Sequence, residues 1–479
     1  MHNPLLKQLI KSLTKHHAPF YAPGHKQGKG ANVALKKVLG ESVFKADLPE
    51  LPELDNLFAP EGVLKEAQEF AAETFGAKKT WFLVNGSTCG IIASILATCR
   101  EGDKIVLPRN VHQSVIYGLV LSGAIPIFIN PEYDENFDIC YGISPQQIEM
   151  VLQNHDDVKG VIIVSPTYHG ICSNIQGIAK ITHGYNIPLI VDEAHGAHFT
   201  FHPQLPSSAL ASGADVVIQS THKVLGALTQ ASMLHLQGSL VDADSLSNAL
   251  QLLQSSSPSY LLLASLESAT TQMAKEGKRL LNQTIGLATR AREVIEDLDY
   301  LQVLKLEKVT SSFHDLDVTR LTVNVSGLGI NGYLADEILH EKLAVTCELP
   351  SLKNLTFIIS MGNDNTDIDL LIHGLTSLRK YENKNPQKQL FYGCYNFDSQ
   401  FLMSPRQAYW AKKKRVSLKD SINHVSGETI SVYPPGIPIL MVGEKITMES
   451  LNYLKKMTIN GAMITGATDN SLNTITVID

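Results

Sequence analysis

The stretch IQSTHKVLG (218–226) sets a lysine, Lys223, directly after the apolar run DVVIQ. VDEAHGAH (191–198) likewise sets an acid, Asp192, after the apolar run LIV. A lysine withdrawn from water loses its proton more readily, which frees its amine for a Schiff base with an aldehyde. An acid placed like Asp192 can hold a proton on a pyridine nitrogen and turn that ring into an electron sink. Gly86-Ser87-Thr88, after TWFLVN, brings backbone N–H groups and two hydroxyls to a helix start, a ready phosphate site. His112, in RNVHQS, can lie flat against a ring. Each feature alone is common: a GST triplet usually caps a helix, and a strand-end lysine usually reaches for water. Found in this order on one chain, the four roles describe a site for pyridoxal phosphate.

Such residues need a frame that brings them to one edge. Between residues 80 and 236, seven apolar runs (TWFLV, DKIVLP, IPIFIN, VKGVIIVSPT, IPLIVDE, ADVVIQS and ASMLHL) are separated mostly by helical patterns. Runs such as VIIV and LIV are apolar on both faces, which predicts strands covered by helices on two sides. The expectation is an α/β fold with a doubly wound, mostly parallel sheet, whose ligands gather beyond the strands' carboxyl ends. Polar residues cluster there: Gly86 to Thr88, Arg109 and His112, Thr167, Asp192 and Lys223. Residues 240–300 read as helical, 303–375 as a smaller α/β unit, and YENKNPQKQ (381–389) as a linker.

The stretches YAPGHKQG (21–28), LDNLFAPEG (54–62), NGSTCG (85–90), SPTYHG (165–170), SPSYLLLASLE (257–267) and YPPGIPIL (433–440), with the lysine and aspartate segments, are similar to the successive motifs of the ornithine/lysine/arginine decarboxylases. The resemblance runs from about residue 18 to 465. It implies a pyridoxal-phosphate enzyme of fold type I, the aspartate-aminotransferase fold, with a seven-stranded sheet in its large domain. It divides the chain into an arm (1–30), a large cofactor-binding domain (31–300), a small α/β segment (301–380) and a C-terminal decarboxylase domain (381–479). By the same resemblance Lys223 carries the cofactor, Asp192 partners its ring nitrogen and His112 stacks on its ring. Gly86, Ser87, Thr88, Ser220 and His222 surround its phosphate, His195 lies beside it and Thr167 near its ring oxygen. Ser257 approaches from a neighbouring subunit. Glu53, Asp55, Glu348 and Glu428 are candidates for the substrate's distal cation.

The activity so implied is decarboxylation of a basic L-amino acid, arginine to agmatine ahead of lysine to cadaverine, with ornithine to putrescine third. The same lysine and aspartate also support transamination or β-elimination, and a non-catalytic, pyridoxal-phosphate-binding regulatory relative is the reading from another class. YAPGHK stands at residue 21, so the wing domain of the long family members is expected to be missing, and a homodimer or dimer of dimers is expected.

Composition narrows the partners. The 479 residues carry a formal net charge of −7, with no basic stretch set among aromatics, which argues against nucleic acid. The N-terminal MHNPLLKQLIKSLTKHH reads as a short amphipathic helix rather than a signal peptide, and no apolar run is long enough to span a membrane. A cytoplasmic enzyme is the expectation. Cys89, Cys99, Cys140, Cys172, Cys347 and Cys394 form no CxxC pair, so buried thiols are expected and neither a disulfide framework nor a metal site is.

Overall fold

A computed structural model describes residues 3–15, 17–384, 400–433 and 436–479. Its centre is a seven-stranded sheet in the order Lys79–Leu83, Ser232–Leu236, Val216–Gln219, Leu189–Asp192, Val158–Val164, Lys104–Pro108, Ile125–Ile129. Ser232–Leu236 runs antiparallel to both neighbours and the remaining pairs are parallel. All strands but Ser232–Leu236 therefore point the same way, and the chain leaves Leu83, Pro108, Val164, Asp192 and Gln219 on one edge.

The doubly apolar runs have a direct structural cause. Successive side chains of a strand face opposite sides, and here both sides are covered. Val161, Ile163, Leu189, Val191 and Val217 enter one core, while Ile162, Ile190, Val216 and Ile218 enter the other. A 37-residue helix, Tyr260–Glu296, packs Leu263, Leu266 and Met273 into the first core and Ala288, Ala291 and Ile295 into a third. It thereby links the large sheet to a smaller antiparallel one, ordered Gln302–Val303, Arg320–Asn324, Asn354–Ile358, Leu349–Pro350. The N-terminal helix, Pro4–Leu13, buries Leu5 and Leu9, and its first N–H groups find an acceptor in Glu267 of the long helix (2.9 Å from Leu5 N, 2.8 Å from Leu6 N).

Residues beyond 400 build a further unit, with a three-stranded sheet (Ile437–Leu440, Ile430–Tyr433, Met463–Thr465) and the helix Met448–Ile459. Arg109 fastens this unit to the large sheet. Its guanidinium donates to the carbonyls of Pro438 (2.6 Å) and Ile439 (2.9 Å) and pairs with Glu444 (3.3 Å), all out of water. Beside it Gln113 N donates to Gly436 O (3.2 Å). Gly436 has φ +89°, and a side chain there would stand 3.4 Å from His112 Nε2, so glycine permits both the turn and the close approach.

Cys89, Cys99, Cys140, Cys172 and Cys347 are free and buried, and Cys394 lies outside the described residues. Among the described residues no group of three or more His, Cys, Asp or Glu side chains is placed to hold a metal ion, and no helix is long and apolar enough to cross a membrane.

Candidate active site

Where the strands end, a cavity of about 280 Å³ opens between the large sheet, the small sheet and the C-terminal unit. A roomier cavity, about 410 Å³, lies elsewhere against Phe58, Trp81 and Leu250, but it gathers none of the chemistry-bearing residues. The smaller one does.

One end of it is the start of the helix Gly86–Thr98. Gly86 turns at φ +75°, and Asn85 stands at the N-cap without a side-chain capping bond, which leaves the first-turn N–H groups for another acceptor. Ser87 and Thr88 line the cavity here, and Ser220 Oγ donates to Ser87 Oγ (2.8 Å) from the strand end opposite. His222 completes this corner. Its Nδ1 faces the Ala231 carbonyl at 2.9 Å, so that nitrogen carries the proton and Nε2 is left as an acceptor or a second donor.

Lys223 sits in the single helical turn Thr221–Val224 after the strand Val216–Gln219. Burial pulls its pKa down; Asp192 opposes that, and Arg320 adds to it. Its Nζ lies 3.0 Å from His195 Nε2, and the other nitrogen of that ring, Nδ1, accepts from Arg320 Nη2 at 2.7 Å. Asp192, at the end of the neighbouring strand, is 6% exposed; burial raises its pKa while Lys223 pulls it back. One oxygen accepts from Ala194 N (3.1 Å). His112 caps the helix Gln113–Ser122 by accepting from Ser114 N (3.2 Å) at Nδ1. Burial, then the nearby Lys223, pushes its pKa down to about 4, so it is a neutral ring at pH 7. Tyr168 adds an aromatic wall, its ring edge-on to His195 at 5.0 Å.

Gly86, Ser87, Thr88, His112, His195, Ser220, His222, Lys223 and Glu348 thus share one cavity, with Asp192 buried close to Lys223. Four of the expected residues do not line this cavity. Thr167 accepts from Ile171 N (3.2 Å) and lines a separate cavity of about 70 Å³ with Asn110 and His169. Glu428 is closed inside the C-terminal unit, holding Thr468 N (2.8 Å), Thr468 Oγ1 (2.6 Å) and Thr476 N (2.8 Å). Glu53 pairs with Lys15 (2.6 Å) and Ser12 on the N-terminal helix. Asp55 is a loop organiser, accepting from the backbone N–H groups of Asn56, Glu61, Gly62, Leu64 and Lys65. Ser257 lies on an exposed loop away from its own chain's cavity. Tyr168, Tyr433 and Arg320 went unassigned in the sequence. The two tyrosines stand inside SPTYHG and YPPGIPIL, whereas nothing marks Arg320.

A lysine amine, a buried carboxylate, a buried histidine and an open helix start meet at the strand ends of a doubly wound sheet, groups suited to handling an amine substrate. The fold is the one seen in the ureidoglycine-glyoxylate aminotransferase of Bacillus subtilis (TM-score 0.54, 14% identity, covering 68% of this chain and 86% of that one). Residues 3–367 match the family described as Orn/Lys/Arg decarboxylase, major domain, and residues 388–467 match its C-terminal domain. The chain belongs to the Orn/Lys/Arg decarboxylase family and is a carboxy-lyase, as its motifs led one to expect. It is 36% identical to the arginine decarboxylase of Bacillus subtilis (strain 168) and 39% identical to that of Halalkalibacterium halodurans, each over 99% of this chain and 97% of the relative. The Francisella novicida lysine decarboxylase LdcF superposes with a TM-score of 0.86 at 24% identity, over all of this chain and 81% of that one.

Proposed function

We propose that this enzyme uses pyridoxal phosphate to remove the α-carboxylate of a basic L-amino acid, and that arginine, giving agmatine and carbon dioxide, is its preferred substrate. The observation that carries the reading is the joint presence, in one cavity, of the Lys223 amine, an uncapped helix start and the Glu348 carboxylate. The arginine decarboxylase names among relatives at 36–39% identity support the choice of arginine; the constitutive lysine decarboxylase of Escherichia coli stands at 26%.

The side chains present fit the cofactor, since the helix Gly86–Thr98 begins with open N–H donors and Thr221 Oγ1 is buried with no partner among the described residues. Ser87, Thr88, Ser220 and His222 would hold the phosphate, Asp192 the proton of the ring nitrogen, and His112 one face of the ring. When bound, pyridoxal phosphate supplies an aldehyde for amine exchange and a ring that takes up the electron pair left behind by carbon dioxide. Lys223 would be the residue that holds the aldehyde, its buried amine being the group with which the substrate's amine exchanges. The cavity offers Lys223 and His112 for the proton that ends on the α-carbon. Glu348, exposed at the mouth, meets the distal guanidinium, whose fork suits a carboxylate better than a point charge does.

Two outcomes test substrate and class together. Carbon dioxide release is measured with arginine, lysine and ornithine offered separately, and the products are weighed by mass spectrometry. Agmatine formed well ahead of cadaverine and putrescine supports the reading; a keto acid in place of an amine overturns it. Glu348→Gln is expected to raise KM for arginine about tenfold with kcat within a few-fold, because the pair is formed equally in ground and transition states. An unchanged KM would remove Glu348 from the substrate site.

We also propose that two copies associate. The helix Val33–Leu39 buries none of its residues, and Phe20, Val33 and Val38 are 96%, 79% and 80% exposed. A second copy would cover this apolar surface, and Ser257 would reach the neighbour's phosphate corner. Light scattering on the purified protein checks it: a monomer mass at micromolar concentration would defeat the proposal.

A further inference from the structure

Arg320 begins a strand of the small sheet, 97 residues after Lys223 in the chain. It is fully buried, and its Nε and Nη1 have no hydrogen-bond partner among the described residues. A buried guanidinium with two idle donors is costly, so what the third nitrogen does matters. Nη2 lies 2.7 Å from His195 Nδ1. Room for the side chain comes from Gly170 of SPTYHG: a Cβ there would stand 2.7 Å from Arg320 Cβ, and its φ of +89° suits glycine alone. Arg292 steadies the backbone by donating to the Arg320 carbonyl (2.5 Å).

The proton count along this line has one solution. Arginine has donors and no acceptor, so His195 Nδ1 must accept. A neutral imidazole then carries its one proton on Nε2, and Nε2 faces Lys223 Nζ at 3.0 Å. An ammonium there would set N–H against N–H; only an amine with a lone pair completes the contact. A doubly protonated His195 would clash at the Arg320 end in the same way.

We infer that Arg320 is a positioning residue of the active site: by donating to His195 it fixes the ring's proton on the nitrogen facing Lys223, and so holds that lysine as a neutral amine ready to react. His195 therefore acts as a donor to the lysine rather than as its base. The inference deepens the proposed role of Lys223 and rests on it. The groups that bear on the Lys223 charge are Asp192 and Glu348, which favour the ammonium, Arg320, which disfavours it, and the neighbouring His195, His112 and His222. Arg320 itself is offset by Asp317 and Glu348, and lies near His169.

The test reads the amine directly, without turnover. Full-length protein freed of cofactor is pulse-labelled with acetic anhydride across pH 5.5–11, and the Lys223 peptide is quantified by mass spectrometry. The wild-type midpoint is expected more than about one pH unit below the ordinary lysine value of about 10.4. Arg320→Met is expected to raise it by about one unit or more, because the lost lock lets His195 accept from an ammonium, while Arg320→Lys, which keeps a charged donor, stays near wild type. In wild-type protein, ¹⁵N resonances of labelled histidine should show His195 protonated at Nε2 alone. An ordinary wild-type midpoint, a proton on Nδ1, or an unmoved midpoint in a folded Arg320→Met protein overturns the inference. If Arg320→Met does not fold, the two wild-type readouts still decide. A low midpoint in a protein that decarboxylates nothing would sustain this inference and sink the proposed function.

Discussion

Lys223→Ala is expected to lower kcat/KM for decarboxylation by about 10³-fold or more while leaving the fold intact, an effect of the size seen when a covalent catalytic group is deleted. The fold should survive because the turn Thr221–Val224 is held by its backbone (Lys223 N to Ser220 O, 3.0 Å; Leu225 N to Thr221 O, 2.9 Å). Burial already lowers the pKa of this amine and raises that of its neighbour Asp192, so deleting the amine costs little in lost charge pairing. The melting temperature should therefore match or exceed that of wild type. Cofactor-loaded protein should also lose the long-wavelength absorbance of a lysine-bound aldehyde, and a small exogenous amine should restore part of the turnover. Full activity in the alanine protein would remove Lys223 from its assigned role.

Arg109→Met is expected to destabilise the protein by about 3–5 kcal/mol, the range for stranding one partner of a buried ion pair. Arg109 and Glu444 are 2% and 4% exposed, so neither water nor salt can replace the lost contact, and the carbonyls of Pro438 and Ile439 lose a donor as well. The damage should appear first at the joint. Limited proteolysis should cut the C-terminal unit free before the large sheet unfolds, and activity should fall because Tyr433 no longer closes the cavity and Gly436 no longer backs His112. Adding Glu444→Leu should recover part of the stability, since an apolar replacement of both partners removes the stranded charge. A melting temperature within about a degree of wild type would show that the joint is held elsewhere.

These two residues also mark how far the sequence could be read. Both stand after apolar runs, and the strand pattern alone put both at the cavity edge of the sheet. Lys223 faces the cavity, whereas Arg109 is consumed by carbonyls more than 300 residues away, a pairing that no local pattern announces. The acids divide in the same way. Asp55 and Glu348 both sit in motif-like surroundings, but an aspartate in a turn can satisfy itself on nearby backbone N–H groups, and Asp55 takes five of them. Glu348 has no such loop to organise and ends at the cavity mouth. The sheet was legible because two-sided burial writes itself into consecutive residues. The Arg320–His195 contact was not, because it joins two sheets and depends on the space left by Gly170.

The contact of Gly436 with Gln113 and His112 bears on when the enzyme becomes active. Ribosomes deliver the chain from its N-terminus, so the large sheet, Lys223 and both partners of His195 emerge before YPPGIPIL and Glu444 are made. At about 5–20 residues per second, the interval from Ile358 to Glu444 is on the order of 10 s. Tyr433, Gly436 and Glu444 are thus the last parts of the cavity and of its joint to leave the ribosome, so the site is completed only in the last tenth of translation.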